Sequence, residues 1–338
     1  MTERMRGAVL TALGEPPVVG ALPRPVPGPG EALVRVRRVG LCATDLKISS
    51  GVFRPALGLP LVLGHEIAGE VVESRAPSVG KGARVACHPY LTCGRCPPCG
   101  GGRSNTCREL RLLGLDRQGG LAEYLAVPAG NLIPLAAATT YEAAAVTMDA
   151  VATTWHALRV RGRLGPGDRV VVVGAGGLGL NAVQVAAGLG ARIAVVEPDT
   201  ARRRAALEHG ADHAVAPQDV GVLRGWAPDG AELVLEVSGT RAGFEAGARL
   251  LGTGGRVVCC GYCPGAEFGL ESMDLVGREL TIAGSRGNTR EDAVAALAAV
   301  ERGDIRPRID SVHELDQVGD AFARLMSGEA RGRVVVSL

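Results

Sequence analysis

Cys93, Cys96, Cys99 and Cys107 fall in the pattern C-x2-C-x2-C-x7-C, with glycine and proline in the gaps. Four thiolates so spaced can close a tetrahedral zinc site at ~2.3 Å per bond, and with no open position the metal would be structural. It would pin a stretch with almost no apolar residues of its own to bury. An iron–sulfur cluster and free thiols compete with this reading, although ferredoxin-like runs space their fourth ligand differently. A second set is dispersed, with Cys42, Thr44 and Asp45 after Gly40 and with His65 and Glu66 after Gly64. A thiolate, an imidazole and a carboxylate that leave one position open would suit a catalytic zinc. Taken singly, such a Cys or His is more often a core residue.

A third pattern, Gly174, Gly176, Gly177, Leu178 and Gly179, follows an aliphatic run at 169–173 and opens a helical stretch. Glycines there let the chain turn and let backbone N–H groups meet a pyrophosphate at a helix N-terminus. Glu197 closes the next aliphatic run, where a carboxylate accepts hydrogen bonds from an adenosine ribose. A 2′-phosphate would be repelled by Glu197 and Asp199, which favours NAD over NADP. Arg202, Arg203 and Arg204 just beyond keep NADP open and otherwise read as a helix surface.

The elements that must hold these groups change character along the chain. Basic and apolar residues alternate at 31–39 as in a half-buried strand, and short β segments recur at 66–73, 83–86 and 122–127. An irregular, antiparallel, barrel-like first domain follows. Beyond residue 150, aliphatic runs at 169–173, 193–196, 233–237 and 256–260 alternate with helical stretches, the pattern of a parallel doubly wound sheet. Helical spacing at 291–301 and 316–326 and a last strand at 334–336 belong back with the first domain. The expected division is a catalytic domain at 1–150 with a zinc lobe at about 87–110, an inserted nucleotide domain at 151–289, and a return at 290–338.

Composition narrows the function classes. The 338 residues suit two domains, and a chain that is 46% hydrophobic but 3% aromatic must build its cores from aliphatic side chains. The 37 basic and 35 acidic residues are spread evenly, which argues against a nucleic-acid partner. No stretch approaches the roughly 18 apolar residues of a membrane span, and no signal-peptide pattern opens the chain, so a cytoplasmic protein without membrane contact is expected. In that compartment clustered cysteines point to metal rather than disulfides. Cys87, Cys259 and the Cys260-x-x-Cys263 pair read as inert or structural, as do His88, His156, His209, His213 and His313.

Taken in order, the Cys42–Asp45 segment, Gly64-His65-Glu66, the four-cysteine lobe and the glycine loop resemble the medium-chain zinc alcohol and polyol dehydrogenases over nearly the whole chain. The resemblance implies an α/β protein with a GroES-like β-barrel catalytic domain and a Rossmann domain, two zinc ions per chain, and NAD-linked oxidation of an alcohol. It makes Cys42 and His65 ligands of the catalytic zinc. Asp149, within Thr147-Met148-Asp149-Ala150, becomes the third, as in bacterial secondary-alcohol dehydrogenases, with Glu66 exchanging in or standing close by. Asp45 would orient the His65 ring. Thr44 would be the first proton relay, since a hydroxyl both accepts and donates. Lys47 stands where many relatives carry His. With an ordinary pKa of ~10.4 it is a poor proton acceptor, so it would bind cofactor instead and the relay would end in water. Family position also suggests Arg202 beside the ribose, Arg333 at the pyrophosphate and Thr153 beside the nicotinamide.

The expected substrate is a small alcohol or ketone, with secondary, cyclic and polyol alcohols all open. A zinc-free enone or quinone reductase of the same superfamily, or a non-catalytic NAD-binding protein, would leave the metal patterns without a purpose. The segment 279–285, with Leu280 and Ile282, offers an edge that could pair with its own copy, giving a homodimer or a tetramer built from dimers.

Overall fold

The computed structural model describes residues 3–338, so the first two positions of the expected catalytic domain lie outside the described residues. The chain divides into two compact units. One takes in residues up to Asp149 with Thr289–Arg302 and Pro307–Leu338, and the other Ala150–Asn288 with Gly303–Arg306.

The first unit is built on strand Glu31–Leu41, whose alternation buries Val34, Val36 and Val39 while Arg35 points outward against Tyr124. Strand Glu66–Ser74 pairs antiparallel along one side of it, and Arg333–Ser337 joins antiparallel near its end. Tyr124–Pro128 pairs with its first half. Arg84–Cys87, Leu132–Pro134 and Ile309–Glu314 complete seven strands. A hairpin of Arg4–Leu10 and Val18–Pro23 adds Leu61–Val62 to form a three-stranded sheet. The core between them is almost wholly aliphatic, with Phe322 from helix Val318–Met326 as its fully enclosed aromatic. Helix Arg290–Glu301 opens on a reciprocal cap between Thr289 and Asp292, which satisfies two otherwise orphaned backbone donors.

The second unit is a six-stranded sheet, parallel throughout. Its spatial order is His213–Val215, Arg192–Val196, Arg169–Val173, Ala231–Glu236, Leu251–Cys259, Thr281–Gly284. Read in chain order this is 3-2-1-4-5-6, so the strand order switches sides between Arg169–Val173 and Ala231–Glu236, the switch point where such sheets bind nucleotides. Val170 to Val173 form a continuous valine run because both faces of the strand are buried. Helix Gly179–Gly188 starts where it does because no side chain fits there: a Cβ on Gly179 would lie 1.9 Å from the Gly174 carbonyl oxygen.

The strands run longer than the aliphatic signal where glycine interrupts it. The run read at 256–260 begins at Leu251, through Gly252, Gly254 and Gly255. The exposed strand Val18–Pro23 carries no alternation to read. On the edge strand Thr281–Gly284, Ile282 is 43% exposed, whereas Leu280 just before it is packed into the unit's own core.

Candidate metal centre and cofactor site

Strand pairing brings the dispersed ligands together. Gly40 stands opposite Glu66, and Val334 opposite Leu41, so Cys42, His65, Glu66 and Arg333 gather at one end of three adjacent strands. The approach is tight, since a Cβ on Gly40 would lie 2.0 Å from Glu66 Oε2. Asp149 comes from a π turn, Thr147–Val151, a wider helical form that recurs at functional sites.

One ligand atom from each of Cys42, His65, Glu66 and Asp149 lies within 4.8 Å of all the others. Cys42 Sγ is 3.5 Å and His65 Nε2 3.8 Å from Asp149 Oδ2. Ligands ~2.0–2.3 Å from a tetrahedral zinc sit at about such separations, so the donor set fits the ion. All four are buried, at 7%, 2%, 0% and 7% exposure.

Asp45, wholly buried, organises the approach. Its Oδ2 accepts from Cys42 N at 2.9 Å, its Oδ1 accepts from Gly64 N at 3.1 Å, and the same Oδ1 lies 3.4 Å from His65 Nδ1. One carboxylate thus fixes both ligand loops. Thr44 Oγ1 sits 3.6 Å from Cys42 Sγ on the helix Ala43–Ser49 that Cys42 caps, and Lys47 is in the last turn of that helix.

Arg333 supplies the counter-charge. Its Nε donates to both Glu66 oxygens, at 2.9 and 3.1 Å, and its Nη2 donates to Asp149 Oδ2 at 3.2 Å. Burial opposes its charge, but the surrounding Glu66, Cys42 and Asp149 raise its pKa further, so it stays a cation. Burial drives the Glu66 carboxyl up, and the Arg333 charge pulls it part-way back. Burial likewise disfavours a charged His65, and Asp45 with the neighbouring ligands outweighs it and raises the imidazole. The sequence reading assigned Arg333 to the pyrophosphate and missed this pairing. Its signal is a deficit: Cys42, Asp45, Glu66 and Asp149 bring several acidic groups into one buried cluster, which calls for a buried cation.

In the four-cysteine lobe, Cys96 Sγ is 3.5 Å from Cys99 Sγ and 3.8 Å from Cys107 Sγ, and Cys107 Sγ is 3.5 Å from Cys93 Sγ. No disulfide links them. Sulfurs ~2.3 Å from a tetrahedral zinc lie about this far apart, so this set fits zinc as well. The backbone N–H groups of Arg108 and Cys99 stabilise the Cys96 thiolate and lower its pKa to about 6.

In the second unit a cavity of about 450 Å³ is lined by Gly174, Gly176, Glu197, Arg202 and Ser238, among others. Leu178 and Gly179 open the helix behind the loop, and Gly177 O accepts from Asn181 Nδ2 at 2.8 Å. Glu197 is 4% exposed. Its Oε2 accepts from Ala175 N at 2.7 Å and its Oε1 from Asp199 N at 3.0 Å, so it shapes the loop and keeps acceptor capacity for a ribose. Arg202 lines the cavity, while Arg203 caps the carbonyls of Glu197 and Pro198. Thr153, 5% exposed, accepts from Asn288 at 3.3 Å. Sequence reading gave no role to Glu236, fully buried at the end of its strand, where it accepts from the backbone of Ser238 and Gly239 and shapes the loop bordering the same cavity. An acidic residue closing an aliphatic run was the available signal.

Residues 28–137 match the family described as alcohol dehydrogenase GroES-like domain, and residues 177–302 that described as zinc-binding dehydrogenase. The chain is 34% identical to L-galactonate-5-dehydrogenase of Escherichia coli (strain K12) over 79% of each chain. It is 32% identical to an alcohol dehydrogenase of Geobacillus stearothermophilus over 99% of this chain and 100% of that one. A crystal structure of an NAD-dependent alcohol dehydrogenase superposes with a TM-score of 0.93 at 31% identity, covering 99% of this chain and 100% of the other.

Proposed function

The chain belongs to the zinc-dependent medium-chain alcohol and polyol dehydrogenases, an oxidoreductase family using NAD(P), and within it we propose an NAD-linked enzyme for secondary, polyhydroxylated alcohols. The buried cluster of Cys42, His65, Glu66 and Asp149 carries the reading, because a zinc-free reductase or a non-catalytic cofactor binder has no use for it. A relative named for galactonate, a polyol acid, supports the substrate class.

Cys42, His65 and Asp149 would hold the catalytic zinc, with Glu66 exchanging in or standing close by, and Cys93, Cys96, Cys99 and Cys107 would hold the structural one. When bound, zinc would supply the Lewis acidity that lowers the pKa of the alcohol hydroxyl, and NAD would supply the acceptor for a hydride. Thr44 accepts the hydroxyl proton and passes it on to water. Asp45 keeps the His65 ring in place and, through Gly64, its loop. Arg333, which donates to both Glu66 oxygens, would hold that carboxyl group in place beside the metal ligands. In the second unit Glu197 accepts from the adenosine ribose, Arg202 flanks it, and the loop from Gly174 to Gly179 receives the pyrophosphate. Thr153 serves the nicotinamide, and Lys47 binds the cofactor.

Among the described residues no helix is long and apolar enough to cross a membrane. The cytoplasm suits nine cysteines that form no disulfide among the described residues. Pairing of Thr281–Gly284 with its copy gives a homodimer or a tetramer of dimers, and Ile282→Lys then dissociates it in light scattering. A panel of polyols, simple secondary alcohols and primary alcohols, read as NADH and NADPH formation, tests the function. Turnover confined to primary alcohols, or none with any alcohol in protein carrying two zinc ions, refutes the proposal.

A further inference from the structure

The parallel sheet of the second unit carries another cavity, of about 380 Å³, at the end opposite the glycine loop. It lies where strands Ala231–Glu236 and Leu251–Cys259 begin and where the chain approaches Thr281–Gly284, whereas the glycine-loop cavity lies where strands finish. Its volume is within the ~300–1,000 Å³ of small-molecule sites. Nothing in the dehydrogenase chemistry calls on it.

The lining is cationic. Arg224, Arg249 and Arg278 contribute to it against a single carboxylate, Asp229. Arg278 is partly engaged, with Nη2 donating to the Leu251 carbonyl and Nη1 3.9 Å from Asp274. Arg224 and Arg249 line the cavity without a side-chain hydrogen bond among the described residues, and Arg249 also feels the nearby Glu245 charge. Trp226 is also in the lining, 7% exposed and packed into the unit's core. Arg192 lies over its indole ring at 5.6 Å and adds to the positive field.

We propose that this cavity binds a metabolite-sized anion through its phosphate or carboxylate oxygens, with the Arg224 and Arg249 guanidiniums as donors. An oxyanion is the group that accepts from both, and guanidinium pairs with it by charge-assisted hydrogen bonds. The site is separate from the pyrophosphate cradle and needs neither metal nor alcohol.

Calorimetric titration of the two-zinc protein, saturated with NAD so that the cradle is filled, tests this at constant ionic strength. Inorganic phosphate is the probe in one arm and citrate in the other. Saturable one-to-one binding is expected in at least one arm; phosphate alone marks a phosphoryl ligand and citrate alone a polycarboxylate. The double variant Arg224→Ala/Arg249→Ala should weaken binding ~10-fold or more, a loss of ~1.4 kcal/mol or more, with KM for NAD and turnover unchanged. Absence of saturable heat in both arms, or unchanged affinity in the double-arginine variant, overturns the proposal.

Discussion

Arg333 and Glu66 form a bidentate ion pair in a fully enclosed setting, with Nε 2.9 and 3.1 Å from the two carboxylate oxygens and the residues 5% and 0% exposed. They are brought together by register alone, each on a strand flanking Glu31–Leu41. A pair this deep is not a source of stability relative to apolar packing, because both ions lose their water; breaking it from one side is what costs.

Arg333→Met should therefore destabilise the zinc-loaded protein by ~3–5 kcal/mol, while Glu66→Gln/Arg333→Met recovers most of that loss. Urea unfolding of the single and double variants checks it. A single-variant loss below ~1 kcal/mol would mean that the guanidinium is not the counter-ion of Glu66.

Thr44 has its hydroxyl 3.6 Å from Cys42 Sγ, at the mouth of the metal cluster. As a proton relay its removal in Thr44→Ala should lower kcat ~10²-fold or more, the lower range for a positioned acid–base group. Thr44→Ser, which keeps the hydroxyl, should hold most of the activity. Equal losses in both variants in steady-state assays would assign Thr44 to packing instead.

Glu197 offers a charge test in the cofactor cavity. Its carboxylate is buried and hydrogen-bonded to Ala175 N, yet retains acceptor capacity. Glu197→Gln keeps an acceptor for the loop but removes the charge that repels a 2′-phosphate. KM for NAD should rise ~10-fold, and the preference for NAD over NADP should shrink by at least as much. An unchanged preference ratio would place cofactor discrimination elsewhere.

How much was legible in the sequence follows from how local each signal is. Valine runs buried on both faces announced the parallel sheet, and the alternation around Arg35 announced the central strand of the first unit. The spacing of the four cysteines carried its own geometry. Strand Val18–Pro23 was silent because it is largely exposed, with no buried face to pattern it. The contacts of Arg333 were illegible because they depend on the registers Val334 to Leu41 and Gly40 to Glu66, which no local pattern encodes. The same holds for the arginine-lined cavity, which is assembled from loop and helix-end residues of three successive crossovers.

Asp310 provides a test of acid stability away from both metal clusters. It accepts from Arg324 Nε at 2.9 Å and Nη2 at 3.1 Å, and from Arg331 N at 2.7 Å. It thereby ties strand Ile309–Glu314 to helix Val318–Met326 and to the turn that leads into Arg333. Burial pushes its carboxyl up, but the Arg324 and Arg331 hydrogen bonds and the Arg324 charge win and hold it below its ordinary value of 3.8. With the folded pKa depressed, the unfolded chain takes up its proton first as pH falls. The contribution is therefore complete above the unfolded value and drains away as pH drops through the folded one. Asp310→Asn should lower stability at pH 6 and flatten the fall in stability below about pH 4 relative to the parent chain. Unfolding midpoints measured across that range decide it, since the metal sites are common to both proteins and cancel in the difference. Parallel curves would show that Asp310 titrates alike in the folded and unfolded chains and that Arg324 does not hold it.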